Sequence, residues 1–123
     1  MHDGDGNAVR ITLIKAKLAP GSGYFKPKAG LKWYAAYMRV RNLSNHKLDD
    51  CADNDAEFTG SNNAQYGNAL FADLKPELGC FKLLPGRTLE GWVAWEMPKR
   101  INPRFIDWTM DSGFADETAT WKL

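Results

Sequence analysis

The chain has 123 residues, 44% hydrophobic and 25% charged, the balance of one ordinary globular domain with enough apolar material for a core and far from disordered or collagen-like sequence. Sixteen Lys and Arg stand against fifteen Asp and Glu, so the net charge of +1 excludes an overall positive field of the kind that draws a protein onto nucleic acid. No apolar run approaches the roughly 20 residues needed to span a bilayer, so no transmembrane segment is expected.

Residues 1–7 are polar and punctuated by Gly, which reads as a disordered start and neither a signal peptide nor an anchor. If the protein is exported, its targeting segment lies outside this sequence. The domain proper is expected over residues 8–123. From Ala8 to Leu18, Val9, Ile11 and Leu13 alternate with Arg10 and Thr12, followed by Lys15 and Lys17, which predicts a strand. Ala19-Pro20-Gly21-Ser22-Gly23 breaks it, and Pro27 and Gly30 extend the loop.

Lys32 to Asn42 carries the clearest period of two: Tyr34, Ala36, Met38 and Val40 on one face, Arg39 and Arg41 on the other. Asn42-Leu43-Ser44 fits a glycosylation sequon but reads as turn chemistry, because Asn and Ser side chains bond nearby backbone. From Leu48 to Asn68 the chain is polar and acidic, with short strands expected at Ala56 to Thr59 and near Tyr66. Phe71 to Leu74 reads as a strand or one helical turn, and Pro76 and Gly79 prevent a long helix.

Leu84-Pro85-Gly86 launches a strand over Arg87 to Met97, with Leu89, Gly91, Val93, Trp95 and Met97 facing the core. Pro98 ends it. Phe105 to Met110 and Thr118 to Leu123 complete about seven strands. With no sustained helical period, no repeat and a turn signal every 8–15 residues, the expected fold is all-β, an antiparallel sandwich.

Gly30-Leu31-Lys32-Trp33-Tyr34, Arg39-Val40-Arg41-Asn42, Leu84-Pro85-Gly86, Gly91-Trp92-Val93-Ala94-Trp95-Glu96-Met97-Pro98 and Asp111-Ser112-Gly113-Phe114-Ala115 occur in this order. The sequence from about residue 8 to the end resembles the immunoglobulin-like domain of unknown function found in Gram-positive, especially actinobacterial, exported lipoproteins, related to the mycobacterial immunoprotective extracellular antigen. The resemblance implies an immunoglobulin-like β-sandwich held outside the membrane, extracellular or at the cell surface, by a lipidated N-terminus and a flexible linker. This sequence lacks the lipobox cysteine. The family offers no catalytic residues to carry over.

Two cysteines, Cys51 and Cys80, suit one disulfide in an oxidising compartment; the alternative is a pair of buried thiols. They lack the CxxC spacing of a zinc site. Asp50, Asp53 and Asp55, with Asp49 and Glu57, offer oxygen ligands to a hard cation such as calcium. An EF-hand loop is incomplete, since counting from Asp50 or Asp53 puts Asp55 or Phe58 where Gly is required, and a solvated acidic loop is the favoured reading. No metal or other cofactor is expected. His46 lies between Ser44 and Asp49, but neighbours along a turn do not by themselves form a catalytic triad.

Trp33 and Trp92 fall opposite the main apolar sets and are the candidates for an exposed binding surface, although packing under a loop is the favoured reading. The leading expectation is a non-catalytic interaction or accessory domain whose partner is a protein or cell-envelope component. A carbohydrate-binding module using exposed aromatics is the second, and a hydrolytic enzyme the third. Fold alone decides none of these.

Overall fold

The computed structural model describes residues 1–69, 72 and 74–123. The chain folds into an antiparallel, sandwich-like all-β structure, as its alternation predicts. Nine strands are described, in place of about seven: β1 (Val9–Ala19), β2 (Leu31–Asn42), β3 (Leu48–Cys51), β4 (Ala56–Gly60), β5 (Gln65–Tyr66), β6 (Cys80–Leu83), β7 (Thr88–Pro98), β8 (Pro103–Thr109) and β9 (Thr118–Lys122). A single helical turn, Ala52–Asp55, joins β3 to β4.

One sheet has the order β1-β2-β7, the second β5-β4-β8-β9, and a separate ribbon pairs β3 with β6. The long strands form where the period-two pattern is longest. In β2, Ala36, Met38 and Val40 are wholly buried against Val93, Trp95 and Met97 of β7 and Phe58, Ile106 and Trp108 of the facing sheet. Phe58 bridges the two layers, its ring stacked 5.2 Å from Trp95 and tilted 5.7 Å from Tyr34.

The register of β1 on β2 shifts between Leu13 and Lys15, leaving Ile14 as an extra residue. Leu13 and Lys15 pair with the consecutive residues Met38 and Tyr37, so Lys15 and Lys17 face outward although strict alternation from Val9 would turn them in.

The free edge of β7 is covered, among the described residues, by Gly67, Asn68 and Ala69 and by Pro76, Glu77 and Leu78. Glu96 N donates to Gly67 O at 2.9 Å, Trp92 N to Pro76 O at 2.8 Å, and Leu78 N to Trp92 O at 3.0 Å. Occupying these groups removes an exposed sheet edge. Gly91 permits the approach: a Cβ there would lie 2.6 Å from Leu78 N. The strand or helical turn expected at Phe71 to Leu74 falls on residues outside those described, apart from Ala72 and Leu74.

Residues 1–7, expected to be disordered, are tied to the sandwich. The Met1 ammonium donates to Val9 O at 3.0 Å, Val9 N donates to Met1 O at 2.9 Å, and Gly4 N donates to Asp111 Oδ2. Asp3 accepts two bonds from Asn7, which closes the segment on itself.

Candidate functional site: a basic sheet face

Trp33 and Trp92 lie on the outer face of the β1-β2-β7 sheet, as alternation places them, but they are only 5% and 8% exposed. The favoured reading, packing under another segment, is what the structure has, and the candidate exposed surface at Trp33 and Trp92 is corrected. Ala69, Ala72 and Leu74 from the covering segment pack with them into a second small core. Trp33 Nε1 donates to Glu96 Oε2 at 3.0 Å. Trp92 is tilted against Tyr37 at 5.1 Å, and the ammonium groups of Lys15 and Lys17 sit 5.4 and 4.9 Å from its ring centre. Alternation tells which face a side chain takes; it does not tell whether a distant segment closes over that face.

Cys51 and Cys80 are directly opposite in the β3–β6 ladder and form a disulfide, the pairing expected from composition. The acidic stretch divides. Asp50 and Asp55 come together in the interior, whereas Asp53 is set near Glu77, and burial followed by that second carboxylate raises its pKa. Asp50 accepts from Cys51 N at 2.9 Å and Asp111 N at 2.8 Å, and Asp55 Oδ1 accepts from Ser112 N at 2.8 Å. Burial, then the neighbouring Asp50, pushes the Asp55 carboxyl up to about 8. Among the described residues no three His, Cys, Asp or Glu side chains converge as a metal ion requires.

His46 is exposed, and the Ser44 hydroxyl is spent on local structure: it donates to Asn42 Oδ1 at 2.7 Å and to the His46 carbonyl at 3.0 Å. Asn42 is fully buried, donating to His46 O and Leu83 O at 2.7 and 2.8 Å, so the sequon is turn chemistry.

The feature that residue-by-residue reading missed is the distribution of charge. Residues 6–48 contain nine of the sixteen Lys and Arg and none of the fifteen Asp and Glu, a run hidden by the near-zero net charge. Folding concentrates it. On the solvent face of the β1-β2-β7 sheet, Arg10 lies directly opposite Arg41 and Thr12 opposite Arg39. Arg10, Thr12, Arg39, Arg41 and Thr88 line a shallow groove of about 230 Å³. One carboxylate answers them, Glu90, whose Oε2 accepts from Arg39 Nε at 2.6 Å. Lys15 and Lys17 continue the positive strip along β1.

A separate cleft of about 470 Å³ is lined by Asp53, Glu57, Gln65, Tyr66, Asn68 and Trp95 among others, with no basic residue in its described wall. Two buried donors in this wall, Trp95 Nε1 and Asn68 Nδ2, have no partner among the described residues.

No family model matches the chain, and no curated protein matches it. Among solved structures it is similar to ycdA from Bacillus subtilis subsp. subtilis str. 168, described as a "putative lipoprotein", with a TM-score of 0.75 over 95% of this chain. The two share 14% identity, and the match covers 36% of the Bacillus protein, so the likeness establishes a common fold and this chain spans about a third of that protein.

Proposed function

We propose that this chain is a non-catalytic interaction domain of the bacterial cell envelope that docks through the solvent face of its β1-β2-β7 sheet onto a partner presenting negative charge. The observation that carries this reading is the Arg10–Arg41 pair. Like charges directly opposite on neighbouring strands destabilise a sheet, and a neutral pair at this solvated position would fold more easily. A chain that keeps two guanidiniums side by side, in an acid-free stretch of some forty residues, gains from them outside the fold. Guanidinium groups bind carboxylate or phosphate in a bidentate fork, which suits that role.

The envelope setting is supported by the resemblance to exported actinobacterial lipoprotein domains, by the Cys51–Cys80 disulfide and by a structural neighbour described as a lipoprotein. A lipid anchor on the full-length protein fits the same setting.

The test is retention of the protein on immobilised heparin and on an isolated Gram-positive envelope fraction, eluted with salt. The wild-type chain is retained and released as salt rises, and R10E/R41E loses binding by about tenfold or more at unchanged Tm. Equal retention of the folded double variant would sink the reading.

Carbohydrate binding is the second reading, and the unpartnered Trp95 and Asn68 donors beside Tyr66 favour it. A glycan array giving a signal that Tyr66→Ala removes, with R10E/R41E unaffected, would promote it above the first.

A further inference from the structure

We infer that the end of the sheet formed by the β1–β2 hairpin is a membrane-contact site, where an anionic phospholipid surface is met by an aromatic tip and a lysine-rimmed apolar trough. The inference rests on the envelope reading above and names the partner of this end of the molecule.

The hairpin turns sharply at its tip. Ser22 and Phe25 exchange backbone hydrogen bonds, both 2.9 Å, and Gly21 and Gly23 take the positive φ values of 75° and 58° that the turn needs. The turn holds Tyr24 at full exposure, and Leu18, next to last in β1, is about half exposed. Both belong to the hairpin end of the domain, where the fully exposed Tyr24 takes no part in core packing. Isolated exposed apolar residues are ordinary; here the exposed apolar surface continues into a trough that Leu18 itself lines.

Beside the tip, Lys26, Lys28, Lys32 and Lys99 line one trough of about 380 Å³ together with Leu18, Leu31, Trp33 and prolines, with no Asp or Glu in its described wall. Lys99 is brought there from the far side of the sheet, since its N–H donates to Gly30 O at 2.9 Å. The combination decides the ligand class. A soluble polyanion would use the ammonium groups and leave the apolar lining and Tyr24 idle. An anionic phospholipid surface uses both: headgroup phosphates pair with the lysines while Tyr24 and Leu18 enter the interfacial layer, where amphipathic aromatic rings are favoured. Long lysine stems also lie along apolar surface with their charges directed outward.

The experiment is co-sedimentation with vesicles of phosphatidylglycerol and phosphatidylcholine in equal parts, against vesicles of phosphatidylcholine alone, with the full chain. Binding to the anionic vesicles, strongest at low salt, and little binding to the neutral ones is expected. K26E/K28E lowers vesicle affinity by about tenfold or more. Tyr24→Ser, at a fully exposed site that leaves Tm unchanged, lowers vesicle affinity by about fivefold but leaves heparin retention as it was. If Tyr24→Ser binds vesicles like the wild type, the tip does not enter the membrane and the inference fails. If the wild-type chain ignores anionic vesicles while R10E/R41E still abolishes retention on heparin and envelope, this inference falls and the proposed function stands. If neither surface binds anything, both fall.

Discussion

Asp50 and Asp55 share one buried corner of the sandwich and hold adjacent links of the same turn, Asp50 accepting from Asp111 N and Asp55 from Ser112 N, each at 2.8 Å. Asp111 and Ser112 both have φ of 55°, a backbone state that side-chain-bearing residues resist, and the two carboxyls fasten the N–H groups that this state presents. Asp55 is 2% exposed, and its Oδ2 has no hydrogen-bond partner of ordinary kind, only the Asp50 carboxyl beside it.

That arrangement makes folding stability fall as pH rises. Asp55 holds its proton up to about 8 when folded and releases it near the ordinary 3.8 when unfolded, so between these values the unfolded chain binds fewer protons. Its contribution is fully present below pH 4 and is lost progressively toward pH 8. Asp55→Asn keeps an acceptor for Ser112 N, supplies a donor toward Asp50 and removes the ionisation. The expected outcome is a Tm that declines between pH 5 and 8 in the wild type and declines less in Asp55→Asn, each 1 kcal/mol corresponding to roughly 3–6 °C. Parallel melting curves for the two proteins across that range would show the carboxyl to be uncoupled from folding.

The disulfide closes a sequence separation of 29 between two strands that, among the described residues, pair only with each other. Loop-closure entropy gives it roughly 3–4 kcal/mol. Cys51→Ser/Cys80→Ser should therefore lose about that much in urea unfolding, and a reducing agent should do the same to the wild type and nothing to the variant.

Gly91→Ala tests the cover over β7. The added methyl would meet Leu78 N at 2.6 Å and Leu78 Cα at 2.8 Å, both backbone atoms that cannot swing aside. Overpacking of this kind costs about 1–3 kcal/mol. Hydrogen exchange should accelerate at the Leu78 amide, donated to Trp92 O at 3.0 Å, and at the Trp92 amide, donated to Pro76 O at 2.8 Å, while β2 amides such as Met38 stay protected.

Trp92→Ala should read as a stability mutant. The ring is buried under the second core and carries two ammonium groups, so its loss should cost about 3–5 kcal/mol. Differential scanning calorimetry should show a lowered Tm, and any loss of partner binding should follow the unfolded fraction. Binding abolished at unchanged Tm would restore Trp92 as a contact residue.

The long strands were legible because their alternation is long: four consecutive inward positions in β2 and five in β7 leave no second phase that buries as much. β3 and β6 were not legible. Each buries two side chains, and one of the four inward positions is Asp50, which an apolar pattern rejects. The turn Ala52–Asp55 is too short to show a 3.6-residue period. Trp33 and Trp92 were placed on the correct face, but their cover comes from Ala69, Ala72 and Leu74, far from both in the chain, with backbone bonds to β7 rather than any sequence pattern holding it there. The basic face was legible and went unread, since a whole-chain sum of +1 erases an acid-free run that a count over residues 6–48 reveals at once.

The extra residue Ile14 separates two zones of β1 that answer to different neighbours. Because Leu13 and Lys15 already pair with consecutive residues of β2, excising Ile14 leaves every other side chain of the strand on its present face. Adding or removing a residue elsewhere within β1 would instead invert everything beyond it, carrying lysines inward. The strand thus has a single position where its length is free to vary, and it lies at the border between the arginine groove and the lysines that cap Trp92.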